Sequence, residues 1–447
     1  MSTVWAFPSP SAATTPTVAV LMHDGFYSCG TGAGRSNRAF LQVLTELKAQ
    51  PVRLAALPIH LSSTSGEYNA TWHKEMQHLV HQAGGHVFPI DNGTAGQVRF
   101  GDLAAFQHAC SSAAKIIREE LLPTSKPLLV TAFDCPFYGL AAQLAPHIPS
   151  STYVELVIVA RSTAVLHAPG DTARMEWERS GLQQAVTAGG RVAAISAHMR
   201  DHLTEAYQLP HTRLLKLPNG LTSQDWRHIA PPDMRLLPPQ AQSGFLLAMG
   251  RAVEYKGFDD LLDALVLLKD RRVPVPHTLL AAVTDATRLS PYQRHLADRI
   301  ATEGLNATLL PRFEPGLRSL LTHPTLAAVV VPSRVEPFGR IPLEAFVAGA
   351  TPVVAASAGG LAELVTTDTG YIAEPCNPES LATALRDALR STPADRVRLR
   401  AAGRSLAASR YNYAKTVHKF LTDIAPWTIP EPTAGTDRTA MPAPSSR

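Results

Sequence analysis

The chain has 447 residues, 45% hydrophobic and 17% charged, with a formal net charge of +4 and a mean hydropathy of -0.01. That length suits two globular domains, and the small charge with no Lys/Arg run excludes a nucleic-acid-binding arm. The four cysteines, Cys29, Cys110, Cys135 and Cys376, have the spacing of neither a zinc site nor a redox dithiol, which excludes those classes and predicts reduced cytosolic thiols.

Residues Met1 to Pro16 are rich in Ser, Thr, Pro and Ala, without the basic and apolar regions of a signal peptide, and predict a frayed tail. Thr17 to Met22 predicts a first strand, followed by a glycine-bearing loop from His23 to Gly34. A helix from about Arg35 to Lys48 has Phe40, Val43, Leu44 and Leu47 on one face. Further strands are expected at Pro51 to Leu57, Pro127 to Ala132, Tyr153 to Ala160 and Arg191 to Ser196, with helical stretches between them. Strand–helix alternation implies parallel sheets with both faces covered. The prolines at 231, 232, 238 and 239 mark a linker. A second series follows: strand Phe245 to Met249, helix Phe258 to Leu268, and strands His277 to Val283, Ala327 to Val331 and Pro352 to Ala355. The domain reading is a tail at 1–16, a first domain at 17–221, a linker at 222–243 and a second domain at 244–410. A final amphipathic helix at 411–425 and a Pro/Thr/Ala-rich disordered tail at 426–447 complete it. No stretch of about 20 apolar residues could span a bilayer.

The densest signal is Pro332-Ser-Arg-Val-Glu-Pro-Phe-Gly-Arg-Ile-Pro-Leu-Glu-Ala-Phe-Val-Ala-Gly-Ala-Thr-Pro-Val-Val. A buried strand ends at Val331, a loop carries Glu336, and Pro337 to Gly339 turn into a helix presenting Glu344. Open α/β sheets bind ligands at this carboxyl edge. The backbone N–H groups of Phe338, Gly339 and Arg340 would favour an anionic phosphate there. A second signal, Met249-Gly-Arg-Ala-Val-Glu-Tyr-Lys-Gly-Phe, puts Arg251 and Lys256 on one loop at a sheet edge. Arg offers a planar fork to phosphate oxygens and Lys a compact point charge. A third is the loop from Gly25 to Asn37. Its Gly30-x-Gly32-x-Gly34 spacing is not a dinucleotide fingerprint, which disfavours an NAD-dependent oxidoreductase.

The Glu336/Glu344 segment resembles the E-x7-E signature of retaining glycosyltransferases of the GT-B fold, glycosyltransferase family 4. Ser357-Ala-Gly-Gly-Leu-Ala-Glu-Leu-Val and Thr369-Gly-Tyr-Ile look like later elements of that family, and Gly-Arg…Lys-Gly like its diphosphate motif. The resemblance implies two Rossmann-like α/β domains facing each other across a cleft, the last helix crossing back to the first. It implies that Arg251 and Lys256 hold the donor diphosphate, Glu336 the donor sugar and Glu344 the ribose. Gly32 and Gly34 would cover the donor phosphates, and the segment Leu310-Pro-Arg-Phe with Arg312 would flank the base, Phe313 reading equally as core or as base-stacking. Where the family has a histidine after the strand matching Tyr153 to Ala160, this chain has Arg161-Ser-Thr, with His167 the nearest histidine. No metal is expected, because no Asp-x-Asp triplet stands ready to hold one.

The N-terminal glycine loop and the Ala/Pro/Arg-rich composition look like N-acetylglucosaminyltransferases of aminoglycoside antibiotic assembly, with a ribostamycin-type acceptor. Asp24, Asp134, Glu155 and His167 are the candidate acceptor contacts. An inositol phosphate or a cell-envelope sugar is the alternative acceptor. A sugar-nucleotide epimerase and an inactive nucleotide-sugar-binding protein are the other readings. A nucleotide sugar, UDP-linked and best read as UDP-GlcNAc, is the expected co-substrate. The expected location is cytoplasmic, and the sequence leaves the oligomeric state open.

Overall fold

The computed structural model describes residues 15–28, 31–49, 51–97, 100–227, 231–284, 288–312 and 314–430. Residues 1–14 of the expected tail at 1–16 and most of that at 426–447 lie outside these residues, as do Cys29, Gly30 and Phe313.

The chain divides into two compact units. The first comprises the described residues up to Ile195, Arg200–Leu217 and those from Ala414 onward; the second comprises Ser196–Met199 and Pro218–Tyr413. The first holds a seven-stranded parallel sheet of β1 (Thr17–Met22), β2 (Arg53–Pro58), β3 (His86–Val87), β4 (Leu128–Phe133), β5 (Val154–Ala160), β6 (Arg191–Ala194) and β7 (Leu214–Lys216), in the order β3-β2-β1-β4-β5-β6-β7. The second holds β8 (Phe245–Arg251), β9 (His277–Val283), β10 (Ala307–Leu309), β11 (Leu326–Val331), β12 (Val353–Ala356) and β13 (Tyr371–Ala373), in the order β10-β9-β8-β11-β12-β13. β1 and β4 are buried along their whole length, as strands covered on both faces must be. In the second unit Leu246, Val330 and Val354 from the sheet meet Phe258, Leu262 and Leu385 from covering helices.

Local chemistry starts the helices. Thr31 caps Gly32–Leu47 by accepting from the Gly34 N–H, and Asn69 caps Ala70–Gln82. Ser290 with Gln293, and Thr392 with Asp395, form reciprocal capping boxes. No helix among the described residues is long and apolar enough to cross a membrane.

Two segments differ from the sequence reading. The proline-rich stretch 222–243 is grouped with the second unit. It folds into the short helices Ser223–Arg227, Met234–Leu236 and Pro239–Ala241, with Leu237 and Ala241 buried. Proline suits the first positions of such turns as well as it suits a linker. The start of the expected disordered tail is ordered: Pro426–Thr428 is a 3-10 turn, Thr428 is buried, and its carbonyl accepts from the Ala49 N–H at 2.8 Å.

Glu178, on the helix Thr172–Thr187, is wholly buried in the first unit. It accepts from the Ala164 N–H at 2.7 Å, the Tyr207 hydroxyl at 2.6 Å and Arg174 Nε at 3.0 Å. Glu178→Ala leaves the Arg174 guanidinium buried without its partner. It is expected to destabilise the first unit by about 3 kcal/mol, read as a lowered urea midpoint.

Candidate functional site

In each sheet the chain adds strands outward in one direction and then returns to add them on the other side. The reversal falls between β1 and β4 in the first unit and between β8 and β11 in the second. Loops leaving the carboxyl ends of adjacent strands diverge at such a point and open a crevice.

In the second unit this point brings the two densest motifs together. Arg251 ends β8, and the turn Glu254–Lys256 follows. Gly257 then starts the helix Phe258–Asp270 in the left-handed region, with φ 69°. A Cβ on Gly257 would lie 1.9 Å from the Pro332 carbonyl oxygen, so only glycine lets the two loops approach this closely. Arg334 secures the same approach: its guanidinium makes two bonds to the Asp260 carboxylate, at 2.8 and 2.6 Å, and its N–H donates to the Tyr255 carbonyl. Lys256 Nζ is thereby 2.5 Å from Glu336 Oε2. Arg251 donates to the Tyr255 hydroxyl, and the Tyr255 ring lies within 6 Å of both cationic heads. The result is a cluster of two cations and one carboxylate at the sheet edge, Arg251 exposed and the Lys256–Glu336 pair mostly covered.

Glu344 occupies a different environment. It is buried on the helix Arg340–Ala348, with Oε2 3.0 Å from Arg318 Nε and Oε1 3.4 Å from Arg340 Nε. Arg340 also reaches Asp225 at 3.5 Å and the Gly220 carbonyl at 3.3 Å. Burial opposes the Arg340 charge, but Asp225 and Glu344 outweigh it and hold the guanidinium pKa above its usual value. The side chain of Arg340, expected among the donor contacts, is therefore an internal counter-ion. Phe338 is likewise a packing residue, buried with its ring 5.7 Å from that of Tyr411. Gly339, at φ 97°, precedes the helix with no side-chain cap on its first turn. Arg312 is exposed beyond β10, the outermost strand, and pairs by a backbone bridge with Thr284. Arg318 and Asp225 lie in no motif, and Arg334, inside the densest one, shows no sign there of its partner. Their partners are 26, 74 and 115 residues away, for Arg318–Glu344, Arg334–Asp260 and Asp225–Arg340.

In the first unit the reversal gathers His23, Asp24, Asp134 and Arg161. Arg161 is buried just beyond β5. It donates to the Asp134 carboxylate through Nε at 3.0 Å, to the Ala33 carbonyl at 2.9 Å and to Asn37 Oδ1 at 2.7 Å. Asp134 has φ 73°, a conformation an L-residue keeps only where its surroundings enforce it. Asn37 donates to the Asp24 carbonyl, and the Asp24 carboxylate takes the Gly25 N–H and the Ser28 and Thr31 hydroxyls. A Cβ at Gly34 would lie 2.9 Å from that carboxylate, whereas Gly32 faces open space. Asp24 and Asp134 thus hold the glycine loop, and Arg161 fills the position after β5. His23, which shows no carboxylate partner in sequence, has Nδ1 3.4 Å from Asp134. Glu155 does not join this group. It sits at the amino end of β5, against Arg191 at 3.1 Å, on the opposite edge of the sheet. His167 ends the single turn Ala164–His167 after the same strand.

Residues 235–406 match the family Glycosyl transferases group 1. A glycogen synthase of Mycobacterium tuberculosis is 31% identical over 215 residues, 48% of this chain and 49% of that protein; the chain therefore spans about half the length of that relative. A D-inositol 3-phosphate glycosyltransferase of Frankia alni is 28% identical over 341 residues, 74% of this chain and 82% of that protein. Among solved structures, a sucrose-phosphate synthase from Thermosynechococcus elongatus superposes with a TM-score of 0.70 at 17% identity, covering 91% of this chain and 97% of that one. A lipopolysaccharide-biosynthesis glycosyltransferase, WaaG, gives 0.62 at 16% identity, covering 91% and 99%. Two parallel-sheet Rossmann-like units are the architecture of those GT-B structures.

Glu344 faces two guanidinium groups, so Glu344→Gln should cost the second unit about 2 kcal/mol of charge-assisted bonding and lower its melting temperature by roughly 5 °C. Arg251→Ala, at an exposed edge, should leave that temperature unchanged. Differential scanning calorimetry of both variants checks the contrast.

Proposed function

We propose, on the premise that residues 235–406 form a Glycosyl transferases group 1 domain, that the chain transfers a hexose from a nucleotide sugar with retention of configuration. The observation that carries this reading is the juxtaposition of Arg251, Lys256 and Glu336 at the β8/β11 reversal.

The chemistry follows from the charges. Breaking the anomeric C–O bond leaves extra negative charge on the departing diphosphate, and cations already in place stabilise it without reorganising. Arg251 and Lys256 take that role in place of a divalent metal, and Glu336, beside Lys256, orients the sugar. The new C–O bond to the acceptor forms on the face the diphosphate leaves, and the acceptor's proton passes to the departing phosphate oxygen. Glu344 takes the ribose hydroxyls, its orientation fixed by Arg318 and Arg340. Arg312, Gly32 and Gly34 belong to the same donor reading.

For the donor sugar and acceptor, the reading is N-acetylglucosamine from UDP-GlcNAc, in the cytoplasm, to an aminoglycoside intermediate of family 4 type. The D-inositol 3-phosphate glycosyltransferase relative, matched over 74% of this chain, favours an inositol phosphate as the second reading. Mass-spectrometric screening of UDP-sugars against both acceptor classes separates them.

Arg251→Ala and Lys256→Ala should each cost about 3 kcal/mol at the transition state, roughly two decades in turnover, in folded protein. Near wild-type turnover of both variants removes the assignment of the diphosphate site. An α-linked donor should give an α-linked product, read from the anomeric proton coupling by NMR; a β linkage overturns the retaining mechanism.

A further inference from the structure

A pocket of about 580 Å³ opens on the first unit, on the β1–β2–β3 side of the β1/β4 reversal. Tyr27, from the loop after β1, and His60, beyond β2, contribute to it, as do His86 of β3 itself and Phe88 just past it. The helix Ala70–Gln82 supplies His73, Gln77 and His81, three residues spaced one turn apart and so on one face. Nothing in the proposed transfer chemistry uses this pocket.

Its composition is unusual for a surface site. None of the residues lining it is Asp, Glu, Lys or Arg, yet it holds four imidazoles, two phenols, Ser63 and Gln77. No group of three or more His, Cys, Asp or Glu among the described residues is placed to hold a metal ion. The aromatic groups have defined faces: the Tyr27 ring lies 4.5 Å from that of His73 and edge-on to His60 at 5.8 Å. The Tyr68 hydroxyl meets His73 Nδ1 at 2.9 Å. Burial, and then the neighbouring His60, lower the His73 pKa and favour its neutral ring. Asp91 lies near His60 but outside the lining, with its carboxylate taken by the Gly93 N–H and His108.

A neutral imidazole donates from one nitrogen and accepts at the other, and a phenol or hydroxyl does both. Such a lining complements a ligand whose polar groups are themselves mixed donors and acceptors. With no Asp, Glu, Lys or Arg in the lining, it offers no permanent counter-ion to a phosphate or an ammonium group, which would lose water there without gaining a fixed opposite charge. The flat aromatic faces match the C–H face of a saturated ring, and the volume falls within the range of small-molecule pockets. We propose that this pocket is a subsite for an uncharged, polyhydroxylated ring, a carbohydrate unit without phosphate or amino substituents. Binding stands on the pocket alone; that the ring belongs to the acceptor of the transfer rests on the function proposed above. A charged acceptor would then place a neutral ring here and its charged groups elsewhere.

Saturation-transfer-difference NMR on the full chain tests this with four probes: methyl β-D-glucopyranoside, D-glucose 6-phosphate, D-glucosamine and UDP. The neutral glycoside should receive saturation on its ring protons at least threefold more strongly than the phosphorylated or amino sugar. That transfer should fall at least threefold in Tyr68→Phe and in His81→Ala. The first change removes only a hydroxyl, and the second lies on an exposed helix face, so both keep the fold. Transfer to the charged sugars equal to or stronger than to the neutral one overturns the proposal, as does transfer unaffected by both substitutions or none to any sugar. UDP reports separately on the second unit. Saturation of UDP without any sugar signal overturns the subsite and leaves the transferase reading standing, whereas the reverse pattern supports the subsite and removes that reading.

Discussion

A parallel sheet opens its ligand crevice where strand order reverses, because elsewhere each loop leaves its strand to cross directly over a neighbour. Both units obey this constraint once, and in both the chemistry-bearing residues collect there. In the second unit it turns two motifs eighty residues apart, Lys256 and Glu336, into a contact pair. Gly257 is the local condition for it: without a side chain at that position, the loop after β8 can rest on the backbone at Pro332.

The charges in the two units are balanced in different ways. The first unit buries its arginine: Arg161 donates to Asp134, Asn37 and Ala33, and so ties the start of the helix Gly32–Leu47 to the strand ends. The second keeps Arg251 near solvent, pairs the mostly covered Lys256 with Glu336, and buries the carboxylate Glu344 between Arg318 and Arg340. An exposed cation surrounded by few fixed partners is ready for a ligand anion, while a buried ion pair is costly to disturb. The same residue types therefore serve as scaffold in one place and as contact surface in another.

The architecture is legible in the sequence because interior strands are long apolar runs: β1, β4, β5, β8, β9 and β11 all fall where the pattern places them, within a residue or two. The four strands without a pattern of their own, β3, β7, β10 and β13, are the edges of the two sheets, each only two or three residues long. Two or three residues carry no periodicity, and their pairing is set by neighbours remote in sequence. The site follows the same division. Glu336, Arg251 and Lys256 are readable because each lies in a dense local motif. Arg318 and Asp225 lie in no motif and Arg334 lies in one, but the meaning of all three resides in partners on other elements. Glu155 shows the opposite failure: its strand is evident, but the residue stands at the strand's first turn rather than beyond its last, and so on the wrong edge. Phe338 and Arg340 lie inside the motif, yet their side chains serve packing and charge compensation, which spacing alone does not distinguish from ligand contact.

The helix Tyr413–Ile424 has a consequence for synthesis. It buries Val417, Phe420 and Leu421, with the Phe420 ring 6.4 Å from that of Phe40, and the Thr428 carbonyl then closes onto Ala49. The first unit to leave the ribosome is therefore finished last. Its apolar face around Phe40 stays uncovered while almost two hundred residues of the second unit, Pro218–Tyr413, are translated and able to fold. A nascent chain in that interval carries one complete core and one open one, and the open surface is what a chaperone or a neighbouring nascent chain would meet.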